Sequence, residues 1–81
     1  MSNMFASLRF GSGGDLVNEL QQRLNEKGYD VGVVDGEFGK RTLGGVLKFQ
    51  EDQFGNYADD GIVGSMTAAA LGMHLPHLSE I

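Results

Sequence analysis

An eight-residue phrase that occurs twice constrains this chain more than any other feature. Residues 35–42 are Asp-Gly-Glu-Phe-Gly-Lys-Arg-Thr, and residues 60–67 are Asp-Gly-Ile-Val-Gly-Ser-Met-Thr. Both copies follow the pattern Asp-Gly-x-apolar-Gly-x-x-Thr, and the second begins 25 residues after the first. Because four identities and one apolar match at a fixed offset are not expected by chance in 81 residues, we predict that one local structure occurs twice, each time at the start of a helix.

The chemistry of each position in the phrase is typical of a helix start. An Asp side chain accepts hydrogen bonds from N–H groups ahead of it and Gly tolerates positive φ, so Asp-Gly predicts a turn. The next apolar residue should pack against the helix, the second Gly should be the N-cap, and the Thr hydroxyl should reach back toward the cap or the Asp. The residues are Asp35, Gly36, Phe38, Gly39 and Thr42, and Asp60, Gly61, Val63, Gly64 and Thr67. We expect a mainly architectural role, although polar groups at helix starts also bind ligands.

Hydrophobic periodicity predicts three helices around these two starts. The strongest pattern is the apolar spacing 17, 20, 24, which marks one helical face. The stretch 28–39 is predicted as a compact loop rather than a strand, because Gly32 interrupts its valines. The predicted helices cover residues 15–27, about 40–53, and about 65–72. The predicted fold class is all-α, a small three-helix bundle with ordered glycine-rich loops.

Four residues inside the predicted helices need a physical reason. Gly44 and Gly45 each cost the second helix roughly 1 kcal/mol relative to Ala, which favours close approach of another backbone. Gln21 and Gln50 lie on core-facing stripes, where an amide without partners costs on the order of 1–3 kcal/mol. We expect each glutamine to bond loop backbone and hold the loop in place. The alternative is that one of them points into a ligand groove.

Composition and charge exclude several classes of function. The chain has no cysteine, so neither disulfides nor thiolate chemistry are available to it. Its net charge is −5, and all six basic residues lie before residue 49. Because nucleic acids and anionic membranes bind through clustered Lys and Arg, this pattern argues against both as partners. The first residues do not have the pattern of a secretory signal, and no run is long enough to span a bilayer.

One set of spaced residues matches the pattern of a known family. The residues are Leu8 to Val17, Leu20, Gln21, Leu24, Gly28, Tyr29, Gly32, Asp35 to Gly39, Thr42, Val46, Phe49, Gln50, Asp60 to Gly64, Thr67 and Leu71. At these positions the sequence resembles the peptidoglycan-binding-like domains. The resemblance covers roughly residues 8–72, so the predicted organisation is an N-terminal arm at 1–7, one domain at 8–72 and a C-terminal tail at 73–81.

The resemblance implies a noncatalytic three-helix module that binds bacterial cell wall. Such modules are usually attached to enzymes that cut peptidoglycan, including amidases, muramidases and phage endolysins. The implied partners are peptidoglycan, as glycan strand or stem peptide, and a linked or partner hydrolase; no cofactor is implied, and a monomer is expected. The implied location is the cell envelope or periplasm, reached without a recognisable signal peptide, with a cytoplasmic stage before release as another possibility.

An assembly module with the same fold is the alternative function. It would mediate protein–protein interaction in a phage particle or a contractile secretion apparatus. The absence of a signal pattern and the acidic residues 49–81 motivate this hypothesis.

The ligand site is expected near the loop 28–42 and the helix starts. The residues predicted to touch a glycan or a stem peptide are Tyr29, Phe38, Arg41, Thr42 and Tyr57.

A catalytic or metal site is not predicted. His74-x-x-His77 with Glu80 has a spacing that suits zinc on a helix, but Pro76 lies between the histidines and a third ligand is needed. Acids such as Asp35 and Asp60 are accounted for by turn chemistry, so they do not indicate a glycosidase pair. We therefore expect no enzyme activity from this chain.

Overall fold

Three helices pack around one core in the computed structural model, which describes residues 7–55 and 60–75. They are α1 (Asp15–Glu26), α2 (Lys40–Phe54) and α3 (Ser65–Leu71). All three start at the predicted residues and end within one residue of the predicted ends. The described ranges contain two isolated antiparallel bridges but no strand, so the all-α prediction and the loop at 28–39 are confirmed. None of these helices is long and apolar enough to cross a membrane.

The core lies between α1 and the two phrases. Helix α1 contributes its predicted stripe, and α2 contributes Val46 and Phe49 from its buried face. The apolar residue of each phrase is inside, since Phe38 is 2% exposed and Val63 0%. The predicted packing of both residues under the helix starts is therefore confirmed. Burial of large apolar side chains is the main favourable term in a chain without disulfides. The core residues are Leu8, Val17, Leu20, Leu24, Val31, Phe38, Val46, Phe49, Val63, Ala68, Leu71 and Met73.

Helices α1 and α3 end in the same hydrogen-bonded turn. After α1, Gly28 has φ 94° and the N–H of Tyr29 donates to the carbonyl of Leu24 at 2.8 Å. After α3, Gly72 has φ 79° and the N–H of Met73 donates to Ala68 at 2.8 Å. This is the Schellman arrangement, which satisfies the last carbonyls and turns the next side chain back onto the helix.

The second of these turns extends the packed unit beyond the predicted domain end. Met73 is only 5% exposed and belongs to the core, and Leu75 packs against it. The core thus includes a residue of the segment 73–81 that was predicted as a tail. The other boundaries of the domain prediction stay predictions.

The N-terminal segment 8–14 pairs with both phrases. Leu8 exchanges two backbone hydrogen bonds with Val63, at 3.0 and 2.8 Å. Gly14 donates to Gly36 at 2.9 Å, and Phe38 donates to Ser12 at 2.9 Å. The sequence predicted only a turn cluster here, because glycine-rich composition does not indicate which distant backbone groups a segment will meet. The segment therefore connects the first phrase to the second.

The two adjacent glycines of α2 have different surroundings. A Cβ on Gly45 would lie 2.3 Å from Cγ1 of Val31 and 3.8 Å from the carbonyl oxygen of Tyr29. A Cβ on Gly44 would have nothing within 4 Å. The predicted approach of another backbone is therefore wrong for Gly44. At Gly45 the main neighbour is a side chain, and the glycine is needed because the α1–α2 loop packs directly on the helix.

Candidate functional site

A buried glutamine of α1 fixes the first phrase. Gln21 is 1% exposed, and its Nε2 donates to Asp35 Oδ1 at 3.0 Å, to the carbonyl of Glu37 at 2.9 Å and to Thr42 Oγ1 at 3.0 Å. Its Oε1 accepts from the N–H groups of Asp35 and Gly36 at 3.1 and 2.9 Å. Every neighbour on the Oε1 side is a donor, so this orientation of the amide is the one that satisfies the network.

A glutamine of α2 repeats the arrangement with the second phrase. Gln50 Nε2 donates to Asp60 Oδ1 at 3.2 Å, to the carbonyl of Ile62 at 3.0 Å and to Thr67 Oγ1 at 3.1 Å. Its Oε1 accepts from the N–H of Gly61 at 2.9 Å. The prediction that each glutamine bonds loop backbone is confirmed. The doubled phrase is therefore one structural device built twice, each copy completed by the preceding helix.

The sequence predicted the hydrogen bonds of the aspartates in the two phrases correctly, but not those of the threonines. Asp35 Oδ1 accepts the N–H of Glu37 at 2.9 Å and Asp60 Oδ1 that of Ile62 at 2.9 Å, so the predicted turns are confirmed. Gly39 and Gly64 are the N-caps, also as predicted, but neither helix has a side-chain cap bond. The predicted bond from each threonine back to the cap or the Asp is wrong, because its hydroxyl accepts from the buried glutamine amide instead.

The electrostatics of Asp35 follow from the same contacts. The amide hydrogens of Gln21, together with the N–H of Glu37, lower the pKa of the Asp35 carboxyl below its usual value. Hydrogen bonds to the charged form favour ionisation. The ionised carboxylate is therefore part of the structure that holds the first phrase.

An open groove of about 640 Å³ lies between α2 and the turn after α1. We call it the α2 groove. Its α2 residues lie on one face of the helix, because they follow Arg41 by three, four, seven and eleven positions. The opposite wall is the turn that the Schellman arrangement positions. The lining residues are Gly28, Tyr29, Asp30, Arg41, Gly44, Gly45, Lys48 and Asp52.

Tyr29 links the two walls of the α2 groove. Its hydroxyl donates to Asp52 Oδ2 at 2.7 Å, and its ring lies edge-on to Phe49 with centroids 5.5 Å apart. The hydrogen bond to the Asp52 carboxylate raises the pKa of Tyr29 above its ordinary value. The ring is half-buried, and Tyr29 lines the groove.

An exposed ion pair lies at the Arg41 end of the groove. Arg41 Nη2 donates to Asp30 Oδ2 at 3.0 Å, and Asp30 Oδ1 accepts the N–H of Gly32 at 2.9 Å. The Gly32 hydrogen bond, followed by the positive charge of Arg41, lowers the pKa of Asp30. The side chain of Lys48 makes no hydrogen bond or ion pair with any other residue in ranges 7–55 and 60–75.

The residues predicted to touch a ligand have three different positions. Tyr29 and Arg41 line the α2 groove together. Phe38 and Thr42 are each 2% exposed, although Thr42 also lines a smaller groove of about 220 Å³ together with Arg41. Tyr57 lies outside the described residues. Ligand contact stays a prediction for this set.

Sequence reasoning missed several lining residues of the groove. Asp30, Gly44, Lys48 and Asp52 were not singled out as site residues. The available signal was the helical spacing of Arg41, Gly44, Lys48 and Asp52 on the exposed face of α2, but that spacing alone is also typical of an ordinary solvated face.

A second groove of about 400 Å³ follows the end of α3. We call it the α3 groove; it is lined by Ser65, Ala68, Ala69, Gly72, Met73, His74 and Leu75. The part of the chain that the structure describes holds no group of three metal-ligating side chains. His77 and Glu80 lie outside that part, so the prediction that they form no metal site stays a prediction.

Comparison with known proteins gives one family and several relatives. The family model described as "Putative peptidoglycan binding domain" matches residues 13–71. The chain is 48% identical over 61 residues to the spore cortex-lytic enzyme of Bacillus subtilis (strain 168), a match that covers 75% of this chain and 20% of that protein. It is 40% identical over 58 residues to N-acetylmuramoyl-L-alanine amidase CwlM of Mycobacterium tuberculosis, covering 72% and 14%. The chain thus spans a fifth or less of the length of these curated relatives.

Two solved structures have the same fold. The crystal structure of the SleB N-terminal domain superposes with a TM-score of 0.77 at 37% identity, covering 88% of this chain and 94% of that one. A peptidoglycan-binding protein from Clostridioides difficile, solved in complex with glutamine hydroxamate, superposes with a TM-score of 0.76 at 35% identity, covering 89% of this chain and 43% of that one.

Proposed function

This chain belongs to the family of peptidoglycan-binding domains, and on that premise we propose that it binds peptidoglycan through the α2 groove and directs an associated wall-degrading activity to its substrate. Noncatalytic binding of peptidoglycan is the function of the domain. The position of the binding surface, the linked activity and the chain's own lack of catalysis are the proposed parts. The site of action is the cell envelope, where peptidoglycan lies.

The shape and chemistry of the α2 groove carry the proposal. Its floor contains Gly44 and Gly45, so no side chain of α2 stands between Arg41 and Lys48 and a chain-like ligand can lie close to the helix. One wall offers the half-buried ring of Tyr29, and both charge signs are present around it. Amino sugars and stem peptides combine apolar faces with amides and charged groups, which is the chemistry that such a lining accommodates.

The proposed targeting role follows from the relatives' lengths and names. The relatives are a cortex-lytic enzyme and an amidase, and the similar region is a small part of each. A binding module linked to a catalytic domain raises the local concentration of the enzyme at the wall, so weak binding by the module is enough to accelerate hydrolysis. We infer the same division of labour for this chain and a linked or partner hydrolase.

Retention on purified, protein-free sacculi tests the groove. Gly44→Leu would fill the floor with a side chain at an open helical position, and Leu is a better helix former than Gly. We expect this variant to stay folded while its retained fraction falls several-fold. Ala69→Leu, at an exposed position of the α3 groove, is the matched control and should be retained like the unmodified chain. Equal retention of both variants would contradict the α2 groove as the binding surface.

Two further outcomes bear on the proposal. We expect no release of soluble wall fragments when this chain alone is incubated with sacculi; release would contradict the noncatalytic assignment. No retention of the folded chain would remove the wall-binding function, and the assembly module in a phage or secretion apparatus would then be the better hypothesis. Crosslinking to one dominant protein partner would support that alternative.

A further inference from the structure

The acidic and the basic side chains of the α2 groove differ in how much of their hydrogen-bonding capacity is already used within the protein. Both oxygens of Asp30 are engaged, Oδ1 by the N–H of Gly32 at 2.9 Å and Oδ2 by Arg41 at 3.0 Å. Oδ2 of Asp52 accepts the Tyr29 hydroxyl at 2.7 Å. The carboxylates therefore mainly position neighbouring groups and hold the groove in shape.

The cations of the groove retain most of their donors. Arg41 commits Nη2 to Asp30, while a guanidinium has five N–H donors in all. Lys48 has three donors, and no partner for them lies within the described ranges. In a chain of net charge −5, this groove is a place where unused hydrogen-bond capacity is positively charged. Such capacity suits an anionic group.

Helix α2 places the two cations at the two ends of the gap above its adjacent glycines. Arg41 and Lys48 are seven residues apart, which is about two turns and a rise of about 10 Å along α2. Gly44 and Gly45 lie between them, and a Cβ on Gly44 would meet nothing within 4 Å. Two long, flexible side chains can therefore converge from both ends on a group that enters above the glycines. The Tyr29 ring lines the groove beside the same gap.

We propose that the α2 groove selects the peptide stem of peptidoglycan over its glycan strand, taking a free carboxylate of the peptide between Arg41 and Lys48 while the Tyr29 ring packs against the adjacent aliphatic part. This inference rests on the proposed function and adds the chemical class of the ligand to it. An N-acetylated glycan carries no charge on its sugar rings, so it would supply no anion to the remaining donors of Arg41 and Lys48. A carboxylate accepts charge-assisted hydrogen bonds from both.

The direct test is an NMR titration with three soluble probes. They are a stem tetrapeptide with free carboxyl groups, the same peptide with its carboxyl groups amidated, and a neutral oligomer of N-acetylglucosamine. We expect the free-acid peptide to bind at least about five-fold more tightly than the amidated one, a ratio that corresponds to one exposed charge pair. Chemical-shift changes should centre on Tyr29, Gly44 and Lys48, and the preference should weaken with added salt.

Charge-neutralising variants identify the residues responsible. Lys48→Gln should lower the preference for the free acid about two- to five-fold, and the double variant with Arg41→Gln should abolish it. Lys27→Gln removes the same charge from an exposed position outside the groove and should keep the full preference. Equal effects of Lys48→Gln and Lys27→Gln would overturn the assignment, and so would equal binding of the two peptides or tighter binding of the neutral oligomer.

The sacculus experiment distinguishes a failure of this inference from a failure of the proposed function. Sacculi freed of phosphate polymers by hydrofluoric acid should retain the chain as untreated sacculi do, because the proposed anion is a peptide carboxylate. Loss of retention after that treatment would indicate a wall-polymer phosphate as the ligand and overturn the inference. Retention on the treated sacculi without any preference for the free-acid peptide would leave the proposed function standing and remove the stem-peptide selectivity. Absence of retention on both preparations would remove the proposed function itself.

Discussion

Gln50 satisfies four polar groups of the second phrase from inside the core. It is 1% exposed, and its amide reaches the side chains of Asp60 and Thr67 and the backbone of Gly61 and Ile62. Gly61 and Thr67 are buried, so inside the core the amide of Gln50 is the partner that satisfies them, and α3 has no side-chain cap. A single residue thus determines how the chain enters α3.

Replacing this amide with a hydrocarbon of similar size tests its importance. Gln50→Leu leaves the Gly61 N–H and the Thr67 hydroxyl without their partner, and each such loss costs about 1–3 kcal/mol. We expect the free energy of unfolding to fall by about 3 kcal/mol, measured by urea denaturation. Gln53→Leu, an exposed position of the same helix, is the control and should change stability by less than about 0.5 kcal/mol. Similar stabilities for the two variants would contradict the structural role of Gln50.

The contribution of Asp35 to the stability of the domain should depend on pH. The folded-state pKa of Asp35 is lowered, first by the Gln21 amide, so its contribution is present above the unfolded pKa of about 3.9 and is lost as pH falls through the folded value. Asp35→Asn keeps an acceptor oxygen for the turn but removes the charge. We expect the variant to be less stable than the unmodified chain at pH 7, with the gap narrowing below pH 4 in urea titrations. A gap that does not change with pH would contradict this account.

Residue chemistry indicated the partners of some side chains better than others. Asp-Gly predicts its turn because the bond is local, spanning two residues from Asp35 to Glu37. The Thr42 hydroxyl was assigned to a local bond as well, yet its partner Gln21 lies 21 residues away. Local pattern gives the turn, but only the tertiary fold brings a buried amide close enough to compete for the hydroxyl.

At the scale of the element, α2 has two adjacent glycines with opposite roles. Gly45 is buried against Val31, whereas Gly44 is exposed and forms part of the groove floor. Neither has positive φ, so both positions are ordinary helix to the backbone. The difference between them therefore comes from packing alone.

Alanine at each glycine separates these roles. Gly44→Ala should stabilise the domain by up to about 1 kcal/mol, since it gains helix propensity and meets no neighbour. Gly45→Ala gains the same propensity, but its Cβ would lie 2.3 Å from Cγ1 of the buried, β-branched Val31. Overpacking of this kind typically costs about 1–3 kcal/mol, so we expect net destabilisation. Thermal unfolding of the pair checks the signs, and two stabilised variants would show that Val31 moves aside freely.

The sequence located the elements more reliably than their contacts. The starts of α2 and α3 were predictable because the phrase places Gly39 and Gly64 immediately before helical periodicity. The groove was only partly predictable. Tyr29 and Arg41 were predicted as ligand contacts of a site near the loop 28–42, but Lys48 and Asp52 become neighbours of Tyr29 only after α2 packs against the turn that follows α1.

At the scale of the whole molecule, long-range contacts join the halves that the two phrases define. Leu8 pairs with Val63 of the second phrase, while residues 11–14 pair with the first. On the other side, Arg23 of α1 bonds Glu19 at 2.9 Å and donates to the carbonyl of Leu71 at 3.3 Å. A domain of this size is usually a single cooperative unit, and these contacts provide the connection between its halves.

Leu8 tests whether this connection makes the domain cooperative. Leu8→Ala keeps both backbone bonds to Val63 but removes a side chain that is 6% exposed, which typically costs about 2–5 kcal/mol. Phe10→Ala removes a larger side chain that is 57% exposed and should cost less than about 0.5 kcal/mol. Guanidinium denaturation measures both values.

Hydrogen exchange extends this prediction to the two halves separately. If the N-terminal segment makes them one unit, Leu8→Ala should lower the protection of the Val63 amide and of the Leu24 amide in α1 by the same free energy, because both then exchange through global unfolding. Loss of protection at Val63 with Leu24 unchanged would mean that the second phrase and α3 open on their own. The halves would then be separable units that share a core, and the N-terminal segment would stabilise only the second of them.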